Sequence, residues 1–261
     1  MKLHRILALL ERNYLLTLSS MDRWFDIFYW PILDLIIWGF VSSYIQGISQ
    51  FNILSVILGG IILWVFVWRP AQDISVYLLE DFWSKHLYHL FSSPVRISEH
   101  LAALLLTGAI KAGLAFLFLS FLAAVLFSFS VFGFPLFILA ISIFLLILFG
   151  WAIGLVIAAL IVRFGHRVQA LAWGLVWIIQ PFSCVFYPLT ALPEWARSIA
   201  MLVPTTYVFE NMRAVLNHTQ INYLGFLYAF IGDVIALALA TLFFYWAFEY
   251  ARKNGLLGKG F

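Results

Sequence analysis

The sequence predicts an all-α integral membrane protein with six transmembrane helices, on three observations. Hydrophobic residues make up 64% of the 261 positions and charged residues only 10%, against about 45–50% and about 25% in soluble domains. A single core in a chain this short cannot hide that excess, because folding leaves too much surface exposed. The apolar residues also fall into runs near the ~20 needed to cross hydrocarbon. Short gaps separate the runs, so residues 1–261 read as one membrane domain without a sizeable soluble part.

Residues 1–22 come first. Leu3, Leu7, Leu10, Tyr14 and Leu18 recur at helical spacing, with Lys2, Arg5 and Arg12 off that stripe. This predicts an amphipathic helix in the membrane interface, its cations toward headgroups. Glu11 and Arg12 interrupt the first apolar run and no small-residue cleavage site follows, so a cleaved signal is not expected.

The six spans are 24–45, 53–67, a stretch within 98–129, 135–162, 168–187 and 223–250. The third exceeds a bilayer's needs, and its first turns are expected to project into the cytosol. Backbone groups in hydrocarbon must be satisfied internally, which requires helices here. Lys2, Arg5, Arg12 and Arg23 precede span one, and Arg69, Lys85 and Arg96 lie between spans two and three. Arg163 and Arg167 flank the turn after span four, and Arg252, Lys253 and Lys259 follow span six. Gaps 46–52 and 130–133 are uncharged, while in 188–222 Arg197 and Arg213 are balanced by Glu194 and Glu210. The alternation predicts cytosolic termini. Basic residues clustered between apolar runs explain the net charge of +3 without nucleic acid, and a lone Cys184 offers no disulfide or metal framework.

Two non-spanning segments have a character of their own. Residues 80–94 begin with Glu80, Asp81 and Phe82, place Trp83, Leu87, Leu90 and Phe91 on one helical face, and stop at Pro94. Such a helix either rests on the membrane surface or docks a cytosolic partner through its aromatic anchors. Residues 188–213 are too apolar for a solvated loop. Pro193 and Pro204 each suit the first turn of a short helix, and Glu210 and Arg213 are spaced to pair. Two short helices dipping back toward the bilayer are expected.

Together these features resemble the membrane subunits of ABC-2 type ABC exporters over nearly the whole chain. The resemblance rests on the interfacial first helix, six spans, Pro31 in the first span, and the acidic-then-amphipathic segment ending Ser93-Pro94-Val95 before Glu99. It rests most on Leu192-Pro193-x-Trp195 with Pro204, Tyr207 and Arg213 ahead of the last span. The resemblance implies a bacterial or archaeal plasma-membrane exporter of an amphiphilic, drug-like or glycan- or lipid-linked substrate. It implies pairing with a second copy or a related permease, and two copies of a separate cytosolic ABC ATPase that hold the ATP and Mg2+. By analogy, Glu80, Phe82, Trp83, Leu87, Leu90 and Phe91 belong to a coupling helix. Pro188, Leu192, Pro193, Trp195, Pro204, Tyr207 and Arg213 belong to an outer gate. The residues themselves contain no G-x-x-x-x-G-K-[ST] phosphate loop, since Gly258-Lys259-Gly260 lacks its spacing and hydroxyl.

Ionisable residues in spans mark functional sites or buried pairs. Asp26 is expected to pair with a nearby basic residue such as Arg23, and Lys111 to snorkel to the inner interface if the third span starts late. Asp34 and Asp233 each lie about eleven residues, roughly 16 Å, from the outer ends of their spans. They line a translocation path, hold spans one and six together, or are hydrogen-bonded in the bundle. Trp24, Trp68 and Trp246 fit an interfacial belt. Trp30, Trp38, Trp151, Trp173 and Trp177 lie deeper, where packing and sugar stacking both fit.

Two rival classes would require other features. A membrane enzyme would need convergent ligands or nucleophile and base at depth. The six histidines, His4, His86, His89, His100, His166 and His218, sit outside spans or at their edges. An ion-coupled carrier or channel would use Asp34 and Asp233, with broken helices in matching halves. Pro31 and Pro181 read as the deep prolines and mark no such repeat.

Overall fold

The computed structural model describes residues 2–47, 52–83 and 94–255, and every regular element among them is helical. In chain order the helices are α1 (Leu3–Ser19), α2 (Met21–Gln46), α3 (Ile53–Trp83), α4 (Ile97–Phe127), α5 (Leu136–Phe164), α6 (Gln169–Ile179), α7 (Glu194–Ala200), α8 (Pro204–Leu216) and α9 (Tyr223–Lys253). Five of them, α2 to α5 and α9, are long and apolar enough to cross a bilayer. The bundle is organised around α3, which packs against α2, α4 and α5, while α5 also carries α9. Accordingly α3 and α5 are largely buried, and α2 and α9 turn most of their apolar surface outward.

The expected fifth span, 168–187, is where the count falls from six to five. Its helix ends at Ile179, a 3-10 turn covers Gln180–Ser183, and Cys184 adopts a left-handed backbone at φ 52°. Pro181 supplies no N–H to continue an α ladder. Hydropathy runs unbroken through this stretch and conceals the stop. Val185 then lies against Gly60, seven residues, or about 10 Å, from the start of α3. The 15 residues of α6 and its extension run beside α3 over about half of its length.

The expected second span ended at 67, yet α3 continues to Trp83 and takes Arg69 with it into the interior. It also contains Pro70, a third deep proline. Pro70 cannot donate to the carbonyl of Phe66, and glycines crowd this point. A Cβ on Gly150 of α5 would stand 2.9 Å from the Phe66 oxygen and 2.8 Å from the Val67 oxygen. One on Gly108 of α4 would stand 2.8 Å from Pro70 Cα. Small residues let the three backbones meet.

Helix α1 packs Ile6, Leu9, Asn13 and Thr17 inward, with Ala103 of α4 among their neighbours. The stripe of Leu3, Leu7, Tyr14 and Leu18 is exposed on its other side. The first turns of α4 do not project freely. Glu99 is buried and accepts from the Lys2 and Arg96 amides at 2.7 and 3.0 Å, and Arg5 approaches to 3.5 Å.

Candidate functional site

At the end of the bundle that gathers the basic residues, four helices contribute to a buried ion network. Arg69 is 1% exposed. Its Nη2 donates to Asp26 Oδ2 at 2.6 Å and to Asp73 Oδ1 at 2.9 Å, and its Nε reaches Asp73 Oδ2 at 3.2 Å. Asp73, also buried, takes a further bond from Lys111 Nζ at 3.2 Å. Tyr77 lies beneath two cations, Lys111 and Arg23, each 4.7 Å from its ring centroid. Its hydroxyl lies 2.9 Å from that of Thr17 in α1. One turn on, Arg12 pairs with Asp81 at 2.7 Å, His100 Nε2 lies 3.3 Å from Asp81, and Arg23 bonds to Glu80.

This arrangement bears out one expectation with a different partner and corrects another. Asp26 pairs with Arg69 rather than Arg23, because α3 stays helical past residue 67 and brings Arg69 to it. Lys111 is only 5% exposed and does not snorkel, because Asp73 and the Tyr77 ring satisfy it inside. Asp73 had gone unnoticed; its signal was the i, i+4 spacing from Arg69, which places the pair on one helical face.

Midway along the bundle, Asp34 lines a cavity of about 80 Å³ between α2, α3 and α6. Trp38, Trp64, Trp68 and Trp177 share the lining with Phe186 and Gln180, and Trp38 stacks on Phe186 at 5.0 Å. Trp68 therefore faces this cavity instead of an interfacial belt. No hydrogen bond or ion pair among the described residues reaches Asp34, so it braces no neighbour.

The opposite end is a helical hairpin. Pro193 is the residue before α7, and Pro204 opens α8 at its first position, as both prolines predict. Pro204 packs against Gly232, while Asn211 exchanges bonds of 3.0 and 2.7 Å with the Asn222 backbone. Helix α8 thus starts level with a point nine residues, about 14 Å, along α9 and climbs back to its start. Arg213 ties the hairpin to the α6 extension through the Cys184 carbonyl at 2.7 Å, and pairs with Glu210 at 2.8 Å. Glu210 also accepts from the Leu189 amide at 2.7 Å. Tyr207 donates to the Met201 carbonyl at 2.8 Å, and Trp195 is exposed with its ring edge toward Phe182. Leu192 gives its carbonyl to Arg197, which also grips Thr190, and Pro188 is exposed beside them.

The family model for ABC-2 type transporters matches residues 4–217, from the first turn of α1 to the residue after α8. This chain belongs to the ABC-2 type transporter family. No curated protein matches the sequence. The matched region of this ABC-2 permease takes in the ion network, the tryptophan-lined cavity and the hairpin together.

The family assignment does not unite every residue singled out in the sequence. Glu80, Phe82 and Trp83 are the last residues of α3, not the start of a separate helix, whereas Leu87, Leu90 and Phe91 fall outside the described residues. Asp233 of the permease is fully buried, with no hydrogen-bond partner for either carboxylate oxygen among the described residues. Helix α9 packs on α5 and α8 and shares no substantial interface with α2. Asp34 and Asp233 therefore do not join spans one and six. Among the described residues no group of His, Cys, Asp and Glu has the geometry of a metal site.

Proposed function

We propose that this chain exports an amphiphilic, drug-like or glycan- or lipid-linked substrate across a bacterial or archaeal plasma membrane. It is a multi-pass permease subunit of an ABC transporter and works with an ABC ATPase subunit. In this reading two ATPase copies bind ATP and Mg2+ in the cytosol, and two permeases, identical or related, enclose the path. Both termini are cytosolic, and α6 with its extension and the α7–α8 hairpin together form the remaining crossing.

The observation that carries this reading is the continuity of α3. One helix runs from beside the hairpin, where Gly59 faces Met212 of α8, through the ion network to Glu80–Trp83, the first residues of the 80–94 segment. A push on residues 80–91 by the ATPase is transmitted along that helix to the hairpin, which serves as the outer gate. ATP shifts this equilibrium only through its differential affinity for the two states.

The test is gentle-detergent capture of the tagged protein with ATPase assay. A stoichiometric ATPase is expected, and Trp83→Ala with Leu87→Ala should remove it while the permease stays folded. Repeated capture without an ATPase would favour a gradient-driven carrier built on Asp34 and Asp233.

Asp34 is assigned to the path, since it lines a tryptophan-walled cavity and has no hydrogen bond or ion pair among the described residues. Asp34→Asn is expected to fold and assemble normally. It should cut ATP-dependent uptake of a fluorescent cationic amphiphile into inverted vesicles roughly tenfold, about the worth of one charged hydrogen bond. Unchanged uptake would assign Asp34 to structure alone.

A further inference from the structure

Between α1, α2 and α4 lies a second cavity, of about 380 Å³, separate from the one at Asp34. Leu10, Tyr14 and Leu18 of α1 form one wall, Trp24 and Ile27 of α2 another, and Ile110 and Leu114 of α4 contribute to the floor. At roughly 30 Å³ per water- or methylene-sized group, it takes about a dozen of them. Three polar side chains of its lining are already hydrogen-bonded. Thr17 donates to the Asn13 carbonyl at 2.8 Å, Thr107 to the Ala103 carbonyl at 2.7 Å, and Lys111 to Asp73. Water needs two to four polar partners to settle in such a space, and most of these walls are aliphatic or aromatic side chains. An alkyl chain needs none.

One lining residue is different. Glu11 is exposed, lines the same cavity, and has no ion pair or hydrogen bond among the described residues. Tyr14, beside it at i+3, and Trp24 across the gap are also exposed. A free carboxylate between aromatic rings suits an ammonium group and repels a headgroup whose only charge is negative. The basic neighbours that would favour an anionic lipid are already committed, Arg12 to Asp81 and Arg23 to Glu80.

We propose that this cavity is a binding site for one membrane phosphatidylethanolamine, with an acyl chain between α1, α2 and α4 and its ammonium at Glu11. The lipid is a resident of the permease rather than its cargo. It fills the space beside the ion network, under the interfacial helix, and completes the seat of α1 on the bundle.

The experiment is native mass spectrometry of the full-length permease, with its ATPase where the two co-purify, delipidated and then titrated with phosphatidylethanolamine or phosphatidylglycerol. One retained phosphatidylethanolamine per chain is expected, favoured roughly tenfold over phosphatidylglycerol by one charge pair with aromatic contact. Glu11→Gln, an exposed change, should abolish that preference without lowering thermal stability in detergent. Leu114→Trp should block retention of either lipid. Equal retention of the two lipids by the unaltered protein, or an unchanged preference in Glu11→Gln, would overturn the site. Loss of the lipid during ATP turnover in vesicles would make it cargo and would overturn the resident role.

Discussion

Arg69→Ala is expected to cost the permease most of its stability. Among the described residues the guanidinium is the only group bonded to the Asp26 side chain and supplies two of the three side-chain bonds to Asp73. Removing it leaves Asp73, 2% exposed, with Lys111 alone, and leaves Asp26 with none of its present partners. Breaking a buried pair from one side costs about 3–5 kcal/mol, because the remaining charge stays desolvated. For a chain of this size that corresponds to a fall in melting temperature of roughly 6–20 °C, with a matching loss of monodisperse protein. Arg69→Lys keeps the charge but cannot grip two carboxylates in a planar fork, so it should fall between. Asp26→Asn should cost less, because Asp26 is a quarter exposed. Replacing Arg69, Asp73 and Lys111 together by methionine, leucine and methionine should recover much of the loss, since a buried ion cluster is often no better than packed apolar groups. An Arg69→Ala protein as stable as the unaltered one would refute the network's structural role.

The same residues mark where the sequence stopped being legible. Hydropathy finds lipid-facing and buried helices well, so the positions of α2, α4, α5 and α9 along the chain could be read from apolar runs alone. It handles charge poorly. Arg69 looked like the first cytosolic residue after a span, although Arg69, Asp73 and Tyr77 stand four apart on one face and are satisfied by Lys111 and α1. In α1 the leucine stripe was plain because it faces outward. The inward face of Ile6, Leu9, Asn13 and Thr17 was not, because its polar members gain meaning only from Thr107 and Tyr77 opposite them. At the other end the prolines and the Glu210–Arg213 spacing were local signals and survived intact. Asp34 and Asp233 were paired by depth alone, which says nothing about azimuth. One lines a cavity beside α3, while the other lies on α9, which has no substantial interface with α2.

Gly150→Val should separate α3 from α5 and thereby uncouple the permease. At Gly150 an added Cβ meets two backbone oxygens, those of Val67 and Phe66, at 2.8 and 2.9 Å. Neither can rotate away as a side chain tip would. The helices must part at the very turn where Pro70 has already withdrawn one hydrogen bond from α3. Overpacking of this kind costs about 1–3 kcal/mol, and more where backbone is struck. Gly150→Ala should lie near that range and Gly150→Val beyond it, by thermal unfolding in detergent. Gly113→Ala in α4 is the control, since nothing lies within 4 Å of its added Cβ. It should be neutral or gain up to about 1 kcal/mol of helix propensity. The functional consequence follows from the lever. Because α3 connects the 80–94 segment to the hairpin, a variant that folds but loosens the Pro70 contact should keep its ATPase partner and lose transport per ATP hydrolysed. Equal coupling in Gly150→Ala and Gly113→Ala would mean that force reaches the outer end by some route other than α3.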